Sequence, residues 1–130
     1  MSIYFLDLYV YIYANYFSGL GIGTTPAALM QHGIDTTIVE IDPVVHDFAT
    51  KYFGLPTAHT KVIQDAVTYA SFAAEAGQKY DYVVHDVFTG GAEPVELFTF
   101  EFLTHLHTVL KPGGVIAIVN CSLLSSIFKY

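Results

Sequence analysis

Short apolar runs alternate with stretches of helical periodicity along most of the chain. β-branched and aromatic runs predict five strands, at 9–17, 36–41, 61–64, 82–85 and 115–119. Between them, apolar residues at helical spacing predict helices at 26–33, 43–54, 66–76 and 97–110, and 111–114 predicts a turn. Strands that alternate with helices pair in parallel through right-handed crossovers. The pattern therefore predicts an α/β fold with a doubly wound parallel sheet of about five strands.

A glycine-rich loop follows the first predicted strand. Gly19, Gly21 and Gly23 precede Thr24-Thr25-Pro26, where a proline in the first helical turn costs no hydrogen bond. Glu40, at the end of the second strand, lies 21 residues after Gly19. In a Rossmann-like sheet such glycines let a ligand approach the backbone, and an acid about 20 residues later binds ribose hydroxyls. A tight turn and an exposed carboxylate are the alternatives, but the combined spacing favours an adenosine-bearing ligand.

Two further acids follow predicted strands. Asp65 precedes a helix, so capping that helix and contacting an adenine amine are both open. Asp86 leads into a glycine-containing loop at 85–91 and is the best catalytic candidate, whereas Asp42 is interpreted as a helix cap. Ligands of parallel sheets bind beyond the carboxyl ends of the strands, where the strand order reverses. We therefore expect Glu40, Asp65, Asp86 and the glycine loop to meet at one edge.

Charge and composition restrict the partners. The chain carries five lysines, no arginine and 12 acidic residues, for a net charge of −7, which argues against a nucleic-acid partner. An acidic cleft favours a small cationic substrate, and a homo-oligomer is left open. Cys121 is the single cysteine, so a reducing, cytoplasmic location is the default expectation. The six histidines do not fall at metal-ligand spacing, so no metal site is predicted.

Several motifs together resemble a known family. The segments 19–23, 39–42, 64–66 and 110–114 resemble class I S-adenosylmethionine-dependent transferases. Glu40-Ile41-Asp42, combined with Asp86 after the fourth strand, narrows the resemblance to spermidine and spermine synthases, and the loop at 85–91 is similar to fungal members. The resemblance covers residues 19–120, an S-adenosylmethionine-binding domain, whereas 1–18 and 121–130 match poorly.

The resemblance implies a role for each candidate residue. Glu40 would bind the ribose, Asp65 the adenine amine and Asp86 the attacking amine. Three glycines would approach the sulfonium tail of the co-substrate: Gly19, Gly21 and Gly23. The implied reaction is aminopropyl transfer from decarboxylated S-adenosylmethionine to putrescine or a related amine, without a metal.

Departures from the family pattern leave two other hypotheses open. Polyamine synthases usually carry Asp-Ser-Ser-Asp where this chain has Asp86-Val87-Phe88-Thr89, so Thr89 replaces the second acid; Glu93 could substitute only if the loop folds back. The N-terminal β domain and the final antiparallel strands of polyamine synthases are also missing, which indicates a fragment with weak or no activity alone. The alternatives are an S-adenosylmethionine-dependent methyltransferase and a degenerate, non-catalytic ligand-binding remnant.

Overall fold

The computed structural model describes residues 14–87 and 94–119. Strands and helices alternate along this part of the chain. The strands are β1 Ala14–Ser18, β2 Asp35–Glu40, β3 Thr60–Ile63, β4 Tyr80–His85 and β5 Leu110–Ile118. The helices are α1 Thr24–Gln31, α2 Pro43–Tyr52, α3 Ala66–Glu75 and α4 Phe100–Thr108, with a 3₁₀ turn at Val95–Phe98.

The strands form one sheet in the order β3-β2-β1-β4-β5, and each neighbouring pair is parallel. The predicted fold class is therefore confirmed. The order reverses between β1 and β4, where Ser18 is in register with Val39 on one side and His85 on the other. Gly19 and Asp86, the next residues along β1 and β4, consequently lie side by side at the switch point.

The two faces of the sheet bury separate apolar clusters. Ile38 is 1% exposed and packs with Leu20, Ala49 and Leu55, against which Ala27 of α1 also packs. Its neighbour along β2, Val39, points to the opposite face and belongs to a larger cluster with residues of α3 and α4. The sheet is thus covered by helices on both faces, as a doubly wound fold requires.

Aspartates cap two of the helices as the sequence indicates. The Asp42 carboxylate accepts a hydrogen bond from the Val44 N–H at 2.8 Å, and Pro43 occupies the first helical position. Asp65 caps α3 by accepting the Thr68 N–H at 2.9 Å. Both caps fix the chain where it leaves the carboxyl edge of the sheet.

Two predicted elements differ from the structure. The single helix predicted at 97–110 is divided, because the Thr99 hydroxyl caps a new helix by accepting the Phe102 N–H at 3.2 Å. The turn predicted at 111–114 lies inside β5, as an irregularity between the pairs Tyr80–Leu110 and Tyr82–Val115. The fifth strand therefore begins at Leu110 rather than at Val115.

Several predictions concern residues outside the described ranges. The start of the first strand at Tyr9, the tail at 121–130, Thr89 and Glu93 all fall there. Within 14–87 and 94–119, every helix is too short or too polar to cross a membrane.

Candidate functional site

A cavity of about 750 Å³ lies at the carboxyl edge of the sheet. Pockets that bind small molecules and cofactors usually span roughly 300–1,000 Å³. Apolar side chains such as Val39, Val67 and Leu97 form much of its wall. Five of the six predicted site residues also line it: Gly19, Gly21, Glu40, Asp65 and Asp86. The predicted convergence of the strand ends is therefore observed.

The first two glycines of the loop differ in what surrounds them. Gly19 has a φ of +84°, and a Cβ at this position would overlap the carbonyl oxygen of Asp86. Gly21 has a φ of +54°, and a Cβ there would meet no atom within 4 Å. Gly19 is needed for the close approach of β1 to β4, whereas Gly21 leaves the backbone open towards the cavity.

Gly23 is not among the residues that line the cavity. It stands at the start of α1 with a φ of +84°, and a Cβ would lie 3.0 Å from Leu55 Cδ1 and 3.5 Å from Ala49 Cβ. The geometry thus gives Gly23 a packing role between the loop and α2. The sequence spacing alone could not separate this role from ligand contact.

Glu40 joins the glycine loop to the turn after β2. Its Oε2 accepts the Leu20 N–H at 3.0 Å and its Oε1 accepts the Asp42 N–H at 2.9 Å. The residue is 9% exposed, and these bonds fix the direction of its carboxylate. A carboxylate oxygen has two lone pairs, so each can still accept a hydroxyl of a bound ligand.

Asp65 uses one carboxylate oxygen for its cap. Oδ2 accepts both the N–H and the hydroxyl of Thr68, each at 2.9 Å. Neither bond involves Oδ1, and Asp65 lines the cavity. The capping role is confirmed, and contact with an adenine amine stays a prediction that the geometry permits.

Asp86 shares the cavity with a second acid that the sequence reasoning missed. Glu96, on the 3₁₀ turn, also lines the cavity, and within 14–87 and 94–119 neither carboxylate makes a hydrogen bond or an ion pair. Among the residues that the structure describes, no lysine lines the cavity either. The only sequence signal for Glu96 was an acid ten residues after Asp86, and spacing could not show that the chain returns to the site.

His85 lies directly behind Asp86 and is fully buried. Its Nδ1 is 2.5 Å from the Ser18 hydroxyl, and its ring lies 5.4 Å from that of Phe98 and 5.1 Å from that of Phe102. Nε2 is buried without a partner in the described part of the chain. Burial lowers the pKa of His85 and outweighs the opposing effects of the Leu97 main chain and of the Asp86 charge. The imidazole is therefore neutral in the folded protein at neutral pH.

We expect the stability of the chain to fall as the pH drops below about 6.5, the ordinary pKa of histidine. Below that pH the unfolded chain binds a proton at this histidine, whereas His85 in the folded state, with its lowered pKa, does not. The free energy of unfolding therefore falls by up to about 1.4 kcal/mol per pH unit until the pH reaches the pKa of His85 in the folded state. Urea unfolding at pH 7.5, 6.5 and 5.5 measures the slope. The His85→Asn variant should show a smaller slope, and the exposed His107→Asn should match wild type. Equal slopes for His85→Asn and wild type would contradict this.

No group of three or more metal-ligating side chains is arranged to hold an ion among the residues that the structure describes. The charged side chains at the cavity are instead carboxylates, which accept hydrogen bonds. These suit hydroxyls, amines and positive charge.

The sheet order, the glycine loop at the switch point and the acid after β2 define a Rossmann-like domain of the methyltransferase type. Residues 19–126 match the spermine/spermidine synthase domain, and the chain belongs to that family. The family predicted from the motifs is therefore confirmed.

Relatives within and around the family differ in activity. The chain is 66% identical over 102 residues, 77% of its length, to an N-terminal histidine N-methyltransferase of Emericella nidulans. It is 39% identical over 102 residues, 75% of its length, to a polyamine aminopropyltransferase of Vibrio vulnificus. It spans 18% of the first and 34% of the second. Human methyltransferase-like protein 13, solved in complex with SAH, superposes with a TM-score of 0.75 at 25% identity, covering 89% of this chain and 59% of that one.

Proposed function

We propose that this chain is the S-adenosylmethionine-binding part of a transferase that methylates an amine. The observation that carries the proposal is the cavity in which the glycine loop, Glu40, Asp65 and Asp86 meet. We propose methyl rather than aminopropyl transfer because the chain is 66% identical to the Emericella methyltransferase but 39% identical to the Vibrio aminopropyltransferase.

The acceptor groups of the cavity fit S-adenosylmethionine. The Glu40 carboxylate is already oriented by two backbone N–H groups and would accept hydrogen bonds from the ribose hydroxyls. Asp65 would offer Oδ1 to the adenine amine while Oδ2 continues to cap α3. Gly19 and Gly21 would border the sulfonium tail, and the acidic lining favours its positive charge.

Asp86 is proposed to orient the acceptor amine and to take its proton. When bound, S-adenosylmethionine supplies a methyl group on a sulfonium, which is already a good leaving group. The amine lone pair forms the new C–N bond as the C–S bond breaks and S-adenosylhomocysteine leaves. The proton released from the nitrogen goes to the Asp86 carboxylate, which faces the cavity without a competing partner in the described chain.

An α-amine loses its proton more readily than the amines of a polyamine. An α-amino group has an ordinary pKa of about 7.7–8.0, so a useful fraction is neutral near pH 7.5. An alkyl amine like that of lysine has a pKa of about 10.4 and needs more help to lose its proton. The replacement of the family's second acid by Thr89 therefore favours an α-amine. Aminopropyl transfer to a small cationic amine is the second candidate, because the family and the Vibrio relative favour it.

Isothermal titration of the chain with four nucleosides separates these proposals. We expect S-adenosylmethionine and S-adenosylhomocysteine to bind at least tenfold more tightly than decarboxylated S-adenosylmethionine and methylthioadenosine. The N–H groups of Gly19, Leu20 and Gly23 are bonded within the chain, so a tail carboxylate would accept the N–H of Gly21, which lines the cavity. Only the first two ligands carry that carboxylate. Tighter binding of the decarboxylated form would instead support aminopropyl transfer. If none of the four binds, the chain is a remnant and the proposal is wrong.

A further inference from the structure

Glu96 is held at the cavity by contacts of its main chain and of the next residue. The residue after it, Leu97, is 7% exposed and belongs to the larger apolar cluster. The carbonyl oxygen of Glu96 accepts a hydrogen bond from the Thr99 hydroxyl at 3.3 Å, one residue before α4 begins. The backbone that follows Glu96 is thus anchored twice, while the Glu96 side chain remains exposed at the cavity.

The four carboxylates of the cavity are not equivalent. Both oxygens of Glu40 accept backbone N–H groups, and Asp65 uses one oxygen as a helix cap. Asp86 is proposed to bind the reacting amine and to take its proton. Glu96 is the remaining acid, and no lysine of the described chain lines the cavity to neutralise it.

We propose that Glu96 determines acceptor specificity by binding a second nitrogen of the acceptor, one that is not methylated. This inference rests on the proposed function. A peptide that begins with histidine carries an imidazole besides its α-amine, and a diamine carries a distal ammonium. Both offer a positively charged or N–H-donating nitrogen, which is the chemistry that an unpaired carboxylate recognises.

Binding measurements test this without requiring turnover. The chain, saturated with S-adenosylhomocysteine, is titrated with His-Gly-Gly, Ala-Gly-Gly and putrescine. We expect Glu96→Gln to weaken the binding of His-Gly-Gly about tenfold, because a charge-assisted hydrogen bond is lost. The binding of Ala-Gly-Gly should weaken less than twofold. A tenfold loss for putrescine as well would show that Glu96 also recognises a distal ammonium, whereas an unchanged putrescine affinity would assign it to imidazole.

Glu101→Gln is the matched control, because this exposed acid lies in the first turn of α4 and does not line the cavity. It should leave all affinities within twofold of wild type. S-adenosylhomocysteine should bind Glu96→Gln as it binds wild type, which excludes a general structural effect.

The inference would be overturned if Glu96→Gln still preferred His-Gly-Gly over Ala-Gly-Gly as wild type does and bound putrescine with unchanged affinity. The proposed function would then still stand. A wild-type chain that binds S-adenosylhomocysteine but no acceptor would also overturn it. Failure to bind S-adenosylhomocysteine would instead defeat the proposed function itself.

Discussion

Replacement of Gly19 by alanine is expected to lower the free energy of unfolding by about 3 kcal/mol and to abolish nucleoside binding. The φ of +84° strains any residue with a Cβ, and that Cβ would overlap the main-chain carbonyl of Asp86. The oxygen belongs to a backbone whose N–H is bonded to the Ser18 carbonyl at 3.0 Å, so it cannot move without opening the β1–β4 pair. Urea unfolding followed by circular dichroism measures the loss.

Gly33→Ala separates backbone strain from the steric overlap. Gly33 also has a left-handed φ, of +74°, but a Cβ there would meet no atom within 4 Å. Its replacement should cost only about 1 kcal/mol and leave nucleoside binding intact. If Gly19→Ala were no more destabilising than Gly33→Ala, the close approach of β1 and β4 at the switch point would be wrong.

The acids of the site could be predicted because a parallel sheet converts chain order into position. Each apolar run ended at a polar residue, and parallel pairing places all such ends at one edge. Glu40, Asp65 and Asp86 therefore met in one cavity even though 46 residues separate the first from the last along the sequence. The rule needed only the strand ends, and small errors in the strand starts did not affect it.

The features that sequence reasoning could not supply depend on contacts between distant segments. Gly23 and Gly19 carry the same signal in the sequence, but only the fold shows that Leu55 lies against Gly23 while Asp86 lies against Gly19. The return of Glu96 to the cavity depends on the burial of Leu97 in the core, which periodicity does not reveal. The irregularity in β5 is likewise set by pairing with β4, where Lys111 Nζ lies 2.8 Å from Asp81 Oδ2.

The second large effect is expected for Asp86→Asn, which should slow methyl transfer about 100-fold to 10,000-fold. The amide keeps the size of the side chain but cannot accept the proton that the amine loses. The fold should hold, because the contacts of Asp86 to β1 are made by its main chain, and unfolding free energy should change by less than about 0.5 kcal/mol. Single-turnover transfer from labelled S-adenosylmethionine to His-Gly-Gly, at high chain concentration, measures even a slow rate.

Asp42→Asn is the matched control, since Asp42 caps α2 outside the cavity and asparagine caps equally well. It should transfer at the wild-type rate. In Asp86→Asn the amine must lose its proton to solvent, so the rate should keep rising with pH where the wild-type rate has levelled off. Transfer by Asp86→Asn at the wild-type rate, with wild-type nucleoside affinity, would remove Asp86 as the proton acceptor. The site would then only align an amine that arrives already neutral, as an α-amine can near pH 8.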